Sequence, residues 1–403
     1  MRTIRGSSRP TSPQPATAAA SSLSSSPTST RAHATSRLSR TRAASPGCDR
    51  QAGRRRPGRD PSRHGARLDA GGRGGRSLPR APGADRRPCP DARRGRRRPG
   101  GHPDPRGARL NVEQGVQLGR YTTLGAGGEA RAFAKPSTVD EVEEALAWAR
   151  ERGLPIVTIG LGSNMLVADE DVGALVLRLD GELASAETRG ELLIAGGGAA
   201  NAVCLHRARA AGLGAFEFAC AIPGTVGGGV RMNAGAYGSD WSEILERALV
   251  VDEHGARWQT PTELGLSYRQ SKLDQGQVVA RVEFRLEPRD PDEIKAKVAE
   301  LQALRKAAQP TNKRTFGSVF KNPEHELTAG LMLEACGLKG DRIGGAQISP
   351  RHANFIENAG GARAADAIAL MAEARRRAYE EYGVELEHEV QFLGPLALPE
   401  LRS

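Results

Sequence analysis

The sequence predicts a mixed α and β fold from about residue 110 onward. From Arg120, short runs of β-forming residues alternate with amphipathic helices, and glycine clusters fall at the junctions between them. The chain contains neither an apolar run of 18 residues nor the apolar core of a signal peptide. The sequence therefore favours a soluble protein that is not exported and makes no membrane contact, with the cytoplasm as its default location.

The first 108 residues differ sharply in composition from the rest of the chain. Residues 1–110 carry 26 Lys and Arg against 6 Asp and Glu, whereas residues 111–403 carry 32 against 41. The head consists mainly of Arg, Pro, Ser, Ala and Gly, so it buries too little apolar surface to offset its chain entropy. We predict a disordered extension over 1–108 and an acidic body that is not expected to bind nucleic acid.

Three explanations of this extension stay open at the level of sequence. They are a start site assigned too far upstream, a transit peptide, and a basic tail that binds anionic polymers. The first is preferred, because a segment of this composition has no core of its own. The sequence carries no signal for an oligomeric state.

The first half of the body is predicted to be a helix followed by strands and a second helix. Thr138 and Glu141 form a capping box for a helix that ends at Gly153. The segments LPIVTI, MLV and ALVLRL have the apolar pattern of buried strands, and the first runs directly into a glycine turn. The strand ELLIAGGG then leads to a helix over about 201–211.

The second half is predicted to contain antiparallel strands over 240–288 and then two long helices. Asp290 and Pro291 form a helix start. The apolar face of that helix is formed by Ile294, Val298, Leu301 and Leu304. The second helix covers about 364–382 and ends at Gly383. A last strand is predicted in VELEHEVQFLG, where alternation places Glu389 on a solvated face.

Two glycine-rich turns are candidate phosphate sites. Residues 160–164 follow a strand, and residues 223–229 contain three consecutive glycines. A backbone without Cβ atoms approaches a phosphate closely, and successive N–H groups then form an anion-binding concavity. Each run alone is more often a tight turn, whereas the pair is suited to a diphosphate. The sequence has neither a Rossmann fingerprint nor a Walker lysine motif.

Seven segments form an ordered set over about residues 118–395. They are YTTLGAGGEA, GLGSNMLVADEDVGALVLRL, IPGTVGGGVRMNAGAYG, LSYRQS, GSVFKNP, LKGDRIGGAQISPRHANFIENAGGARAADAIAL and GVELEHEV. In this order they resemble the signature segments of UDP-N-acetylenolpyruvoylglucosamine reductases. The stretch between Arg269 and Ser318 is short. In this it resembles the same stretch in the subgroup that lacks a substrate-covering loop and the tyrosine on that loop.

The resemblance implies an α+β fold with bound FAD. Its expected parts are a vanillyl-alcohol-oxidase-type FAD-binding region of two subdomains over 109–288, a smaller α+β substrate-binding domain over 289–395, and a tail over 396–403. FAD is expected to bind without a covalent bond. The residues implied to contact it are Gly160, Gly162, Ser163, Asn164, Pro223, Gly224, Thr225, Gly227, Gly228 and Asn233.

The implied reaction converts UDP-N-acetylglucosamine enolpyruvate to UDP-N-acetylmuramate for peptidoglycan synthesis, with NADPH as the hydride donor. By motif match, Ser318 resembles the residue that donates the proton to the substrate in this family. Arg269 and Glu389 resemble the pair of residues that polarises the substrate. Because a serine hydroxyl has a high pKa, Ser318 needs a nearby cation such as Lys321 to donate a proton to carbon.

Four residues are implied to bind the sugar nucleotide: Lys321, Asn322, His352 and Asn354. His352 is equally compatible with a buried structural histidine. The five cysteines have no CxxC or other metal spacing, and no cluster of His, Cys and carboxylates in the sequence has the spacing of metal ligands, so no metal is predicted.

The chain departs from the family pattern at two positions next to the second glycine turn. Cys220-Ala221 stands where a glycine commonly precedes IPGT, and Gly229 stands where alanine is usual. Two other functions are compatible with parts of the sequence: another flavin oxidoreductase of the same FAD-binding fold acting on a hydroxy acid or sugar, and a non-enzymatic protein that binds nucleic acid through its arginine-rich head. The segments GSVFKNP and HANFIEN favour the sugar-nucleotide reductase.

Overall fold

The computed structural model describes residues 110–401. The predicted disordered extension over 1–108 lies outside these residues. Within 110–401, no helix is long and apolar enough to cross a membrane.

The helices of the described part are, in chain order, α1 (Val139–Glu151), α2 (Asn201–Ala210), α3 (Val226–Arg231), α4 (Pro261–Leu264), α5 (Pro291–Ala308), α6 (Ala329–Ala335) and α7 (Ala364–Tyr382). Short 3-10 helices cover Leu118–Tyr121, Gly181–Ala184, Glu217–Ala221 and Trp241–Glu243.

The strands up to the second glycine turn are β1 (Val112–Glu113), β2 (Val116–Gln117), β3 (Glu129–Ala134), β4 (Ile156–Thr158), β5 (Met165–Val167), β6 (Val172–Leu177), β7 (Ala186–Arg189), β8 (Leu192–Gly196) and β9 (Leu213–Gly214). The later strands are β10 (Gly235–Ala236), β11 (Ser239–Asp240), β12 (Leu245–Asp252), β13 (Gly255–Gln259), β14 (Val278–Arg285), β15 (Glu287–Pro288), β16 (Thr315–Ser318), β17 (Arg342–Ile343), β18 (Ala346–Ile348), β19 (Phe355–Asn358) and β20 (Gln391–Leu393).

Two sheets form the part of the chain that precedes α5. The first has the order β1-β3-β6-β4, with β2 also paired to β3, and β3, β6 and β4 run parallel to one another. The second is antiparallel throughout, in the order β13-β12-β14-β8-β7. Helix α1 lies between them, because its buried Val142 shares one core with Leu175 of β6 and Val278 of β14.

The C-terminal part is an antiparallel sheet, β16-β19-β18-β17, covered by α6 and α7. Its core contains Met332 and Leu370 together with Leu124 and Leu166 from the preceding region, so the two parts share one continuous core. Strand β20 returns to pair in parallel with β5. In contrast, α5 packs against α2 and the 3-10 helix Glu217–Ala221, which belong to the region before it.

Local signals in the sequence place the helices well. Thr138 caps α1 by accepting a hydrogen bond from the Glu141 N–H at 3.2 Å, as predicted. The Glu141 carboxylate accepts from the N–H of Ser137 at 2.6 Å, one residue earlier than a standard capping box requires. The predicted bounds of α2 and α7 are confirmed to within one residue, and so is the predicted start of α5 at Pro291.

The prediction that Leu304 lies on the buried face of α5 is wrong. Ile294, Val298 and Leu301 are at most 8% exposed, whereas Leu304 is 48% exposed. Because an α-helix has 3.6 residues per turn, the next position on the buried face after residue 301 is residue 305. Arg305 therefore occupies the stripe, and its Nη1 donates to the Cys220 carbonyl at 3.5 Å.

The predicted strand over 384–394 is also wrong in extent, because only Gln391–Leu393 forms a strand. Upstream of it, the chain makes a single bridge between His388 and Phe320. The pairing stops there for two reasons. The Val319 N–H donates to the Asn354 carbonyl, and Pro323 has no N–H to donate.

An aromatic cluster lies behind α3 and explains one departure from the family pattern. Trp241 is fully buried, and its ring centre lies 5.2 to 5.3 Å from those of Phe216, Phe218 and Phe284. A Cβ atom at Gly229 would overlap the Trp241 indole. Glycine at this position is therefore required by the tryptophan that packs against it.

We expect Gly229→Ala to lower the free energy of unfolding by about 1–3 kcal/mol, because the added methyl overpacks a filled core. Gly228→Ala is the matched control, since its Cβ would approach only Thr225 Oγ1 at 3.6 Å. Urea unfolding of the full chain measures both variants, and Trp241→Phe in the Gly229→Ala background is expected to recover part of the loss. Equal stability of the two single variants would contradict this account.

Candidate FAD and substrate site

A cavity of about 790 Å³ lies where the two glycine turns meet the C-terminal sheet. Its walls include Gly160, Gly162, Ser163, Asn164, Pro223, Gly224, Thr225 and Gly228 of the predicted FAD contacts. Arg269, Ser318 and Glu389 line the same cavity. The structure thus brings the three predicted catalytic residues and eight of the ten predicted FAD contacts to one site.

The first turn requires glycine at two positions. Gly162 has a φ of +61°, and a Cβ on it would overlap the Tyr121 carbonyl oxygen and lie 2.7 Å from Thr122 Cα. A Cβ on Gly160 would overlap the Thr225 side chain. The first turn therefore takes its shape because no side chain separates it from its neighbours.

The two turns contact each other directly. Ser163 Oγ donates a hydrogen bond to the Pro223 carbonyl at 2.5 Å, and Thr225 packs against Gly160. Asn201 reaches the same place from α2, where its Nδ2 donates to the Ile222 carbonyl at 3.0 Å. The second turn is therefore fixed by Ser163 of the first turn on one side and by Asn201 of α2 on the other.

A second cavity of about 410 Å³ adjoins the first and extends toward Arg178 and Gly197. Gly160, Thr225, Gly228 and Arg231 line both cavities and mark the junction between them. A long cofactor with a diphosphate at its middle fits this arrangement, because backbone N–H groups without side chains border the junction. The described residues therefore fit FAD.

The other two predicted FAD contacts, Gly227 and Asn233, have structural partners; Gly227 lines the second cavity, whereas Asn233 lines neither cavity. Gly227 N–H donates to the Gly197 carbonyl at 2.8 Å, so this glycine serves the close packing of α3 on the chain after β8. Asn233 Nδ2 donates to the Ser267 carbonyl at 3.1 Å, and its Oδ1 accepts from the Ser242 N–H at 3.0 Å. Asn233 is 2% exposed and does not line the first cavity. The FAD contacts of these two residues stay predictions.

Arg269 is held in a strained turn at the cavity wall. Ser267 and Gln270 exchange two backbone hydrogen bonds, and Arg269 between them has a φ of +55°. A non-glycine residue with this φ is strained by about 1–2 kcal/mol. Arg269 Nη2 donates to the Gly235 carbonyl at 2.7 Å, which fixes the guanidinium.

Glu389 faces Arg269 inside the cavity. Its Oε1 lies 3.4 Å from Arg269 Nε, and both side chains are 19% exposed. Burial raises the pKa of the Glu389 carboxyl above its ordinary value, and the positive charges of Arg269 and Lys321 oppose this rise. The neutral carboxylic acid is therefore favoured more than in a solvated glutamate.

Backbone contacts place Glu389 beside Ser318. The Glu389 N–H donates to the carbonyl of Val319, the residue after Ser318, at 2.8 Å, and Asn164 Nδ2 donates to the Glu389 carbonyl at 3.2 Å. Ser318 ends β16, directly after Gly317 with its φ of +84°. A Cβ on Gly317 would lie 3.2 Å from the Ser163 carbonyl. The predicted proton donor thus lies beside the first glycine turn.

The four predicted sugar-nucleotide contacts do not line the cavity. Lys321 Nζ lies 2.5 Å from Glu387 Oε1, and Asn322 Oδ1 accepts from the Ala329 N–H at 3.2 Å. Asn354 is buried, and its amide bonds both the N–H and the carbonyl of Phe320. It therefore supports the segment that follows Ser318.

His352 has the geometry of a buried packing histidine. Its ring stacks edge-on against Phe355 at 4.9 Å, and a Cβ on Gly330 would lie 2.5 Å from its Cε1. Burial lowers its pKa, and the charge of Lys339 adds to this. Substrate binding by His352 and by the other three residues stays a prediction.

Several cavity residues were missed from the sequence, among them Arg231, Tyr237, Gln277 and Arg305. Arg231 carried a usable signal, because it is the one charged residue in the stretch 221–238. Tyr237 lies in the same stretch but outside the glycine turn, whereas Gln277 and Arg305 lie in segments without a distinctive pattern. Only the fold brings them to the wall.

Sequence profiles of two domain families match the chain in the regions just described. The profile of the UDP-N-acetylenolpyruvoylglucosamine reductase C-terminal domain matches residues 309–393, and that of an FAD binding domain matches residues 130–260. UDP-N-acetylenolpyruvoylglucosamine reductase of Rubrobacter xylanophilus is 42% identical over 279 residues, which cover 69% of this chain and 93% of that protein. The chain belongs to the UDP-N-acetylenolpyruvoylglucosamine reductase family.

Other members of the reductase family agree with this assignment. The Anaeromyxobacter dehalogenans reductase is 42% identical over 280 residues, which cover 70% of this chain and 85% of that protein. The crystal structure of the Thermus caldophilus reductase superposes with a TM-score of 0.61 at 36% identity, covering 71% of this chain and 99% of that chain. The predicted α+β fold, an FAD-binding domain followed by the C-terminal domain of this reductase, is confirmed.

The described residues of the reductase also include no candidate metal centre. Within 110–401, no group of three or more His, Cys, Asp and Glu side chains is placed to hold a metal ion.

We expect Gly162→Ala to release FAD from the reductase, because the methyl overlaps the Tyr121 carbonyl and moves the first turn. Gly153→Ala is the matched control: Gly153 has the same φ of +61°, but nothing lies within 4 Å of its Cβ position. Both variants bear the same backbone strain of about 1–2 kcal/mol. The ratio of flavin to protein absorbance measures retention, and equal loss from both variants would assign the effect to strain alone.

Proposed function

We propose that this chain is the FAD-dependent reductase that converts UDP-N-acetylglucosamine enolpyruvate to UDP-N-acetylmuramate with NADPH, in peptidoglycan precursor synthesis, and that Arg269, Ser318 and Glu389 carry its chemistry. The observation that supports this assignment of residues is their presence in one cavity with the two glycine turns. FAD, held at the two glycine turns, would supply the hydride transfer from NADPH to C3 of the enolpyruvyl group.

Ser318 donates the proton that C2 of the substrate requires. Its position at the end of β16, beside the first glycine turn, supports this role. Lys321 Nζ is paired with Glu387, and its contact with the substrate stays a prediction. Its positive charge still acts on the cavity, because it opposes the raised pKa of Glu389.

Arg269 and Glu389 stabilise the negative charge that develops beside the substrate carboxylate. The guanidinium is fixed by the Gly235 carbonyl and needs no reorganisation when charge develops. Burial raises the pKa of Glu389, so its proton is held more tightly than in a solvated glutamate. Together they present a fixed cation and a partly enclosed carboxyl group to the same anionic group.

We also propose that the enzyme belongs to the subgroup without a substrate-covering loop. Between Arg269 and Ser318 the chain is used for β14, β15, α5 and short connections, which leaves no long insertion. The tyrosines nearest to the cavity are the exposed Tyr237 and Tyr268, and both lie before β14. Neither is carried by an insertion after Arg269.

FAD is proposed to bind to residues 109–288, and the sugar nucleotide is proposed to bind to residues 289–395. The enzyme is proposed to act in the cytoplasm. Helix α5 packs on α2, so its contacts place it on the FAD side of this division. The substrate then enters between this side and the C-terminal sheet that carries Ser318.

Ser318→Ala is expected to separate the two half-reactions. NADPH should still reduce the flavin, whereas reoxidation by the enolpyruvyl substrate should slow by about 10²- to 10⁴-fold, because the proton donor is lost. Anaerobic stopped-flow spectroscopy of the flavin measures both steps. The matched control is Ser185→Ala, at an exposed serine that lines neither cavity, and equal slowing of both half-reactions would remove Ser318 from this role.

Glu389→Gln is expected to change how stability depends on pH. A carboxyl whose pKa is raised in the folded state holds its proton longer there than in the unfolded chain. The ordinary pKa of a glutamate carboxyl is 4.5. The native protein should therefore lose stability relative to the variant as the pH rises from 4.5 through the raised pKa of Glu389. Urea unfolding of the flavin-free chain from pH 5 to 8 measures this difference.

Glu263→Gln is the control for this series. Hydrogen bonds from the Thr260 backbone and side chain lower the pKa of Glu263, so its stabilising effect is lost only as pH falls below 4.5. Its difference from the native protein should stay constant from pH 5 to 8. A flat profile for Glu389→Gln as well would show that burial does not favour the neutral acid at Glu389.

A further inference from the structure

Arg231 is a largely enclosed cation that the chemistry of Arg269, Ser318 and Glu389 does not use. It is the last residue of α3, directly after the three consecutive glycines and Val230. Its guanidinium donates to the carbonyls of Leu273 at 3.1 Å, Asp274 at 3.1 Å and Gln277 at 2.8 Å. A guanidinium has five N–H donors, so two of them are left for another partner.

The charge of Arg231 is not matched by a direct ion pair in the described structure. Among residues 110–401, no carboxylate oxygen lies within the 4.0 Å that defines such a pair with its guanidinium. Burial lowers the pKa of Arg231, and the more distant charge of Asp274 opposes this effect. A half-buried cation whose hydrogen bonds all go to neutral carbonyls is unfavourable, and an anion beside it offsets that cost.

The position of Arg231 indicates what that anion is. Arg231 lines both cavities at their junction, together with Gly160, Thr225 and Gly228. FAD carries its diphosphate between the flavin and the adenosine. A molecule that fills both cavities therefore places two negative charges at the junction, where the glycine turns supply backbone donors and no other charged side chain lines both cavities.

We propose that Arg231 binds the diphosphate of FAD at this junction and supplies the positive charge that the two glycine turns lack. This inference rests on the proposed FAD-dependent function. The hydrogen bonds to the 273–277 loop fix the guanidinium, so it is positioned before the ligand arrives and loses little freedom on binding.

The substrate also carries a diphosphate, on its UDP group. The junction favours FAD, because both glycine turns border it and the second cavity extends away from Ser318, Arg269 and Glu389, none of which lines that cavity. The experiment below separates the two sources.

The test uses the full chain after removal of FAD, with binding followed by quenching of flavin fluorescence. Arg231→Gln should weaken FAD by about 10- to 100-fold, the usual effect of losing a charged hydrogen bond. Riboflavin, which has no diphosphate, should bind equally to the native chain and the variant. Arg231→Lys keeps the charge and should lose less FAD affinity than Arg231→Gln. Arg281→Gln is the control at an exposed arginine that pairs with Glu182.

Three outcomes would overturn the proposal. Equal weakening of FAD and riboflavin would mean that Arg231 only holds the 273–277 loop. Unchanged FAD affinity with a raised KM for the enolpyruvyl substrate would assign Arg231 to the UDP group. Unchanged FAD affinity and KM would leave it with neither ligand. If the native flavin-free chain binds no FAD at all, the proposed function fails instead, so the two failures are distinguishable.

Discussion

The direct contact between the two glycine turns is the constraint on which the site depends. Thr225 packs where a Cβ of Gly160 would stand, and Ser163 donates to the Pro223 carbonyl. The first turn follows β4 of one sheet, and the second leads into α3, which packs on the other sheet. Any side chain at Gly160 would push the sheets apart at this point. Because the turns line both cavities, the same contact sets the width of the junction between them.

The first turn also connects the FAD-binding region to the catalytic residues. Thr123 Oγ1 lies within hydrogen-bond distance of the Gly162 and Thr315 carbonyls, which links the turn to the strand that ends at Ser318. Asn164 binds the backbone of Glu389 from the other side of the turn. Ser318 and Glu389, the proposed proton donor and acid, are thus positioned by the element that is predicted to hold the diphosphate. A shift of this turn would alter cofactor binding and catalytic geometry together.

The features predictable from sequence are those that depend on neighbouring residues. The Thr138 cap, the Asp290-Pro291 start and the Gly383 stop are local, and the helix ends that they mark lie within one residue of the predicted positions. The role of Glu389 is different. Alternation in its own segment indicated a solvated face, whereas the structure encloses it opposite Arg269, which is far away in the chain. The prediction that Leu304 is buried was wrong for a related reason. The elements that pack against α5 decide which residues of its apolar face are covered.

The cavity contains two ionisable groups whose surroundings do not favour the charged form. Among residues 110–401, Arg231 donates to carbonyl groups and has no carboxylate oxygen within 4.0 Å, and burial raises the pKa of Glu389 despite the attraction of Arg269. An anionic group beside Arg231 would offset the cost of enclosing its charge. Ligands that bind only the folded state raise its stability. We therefore expect bound FAD to stabilise the folded chain, in part through Arg231.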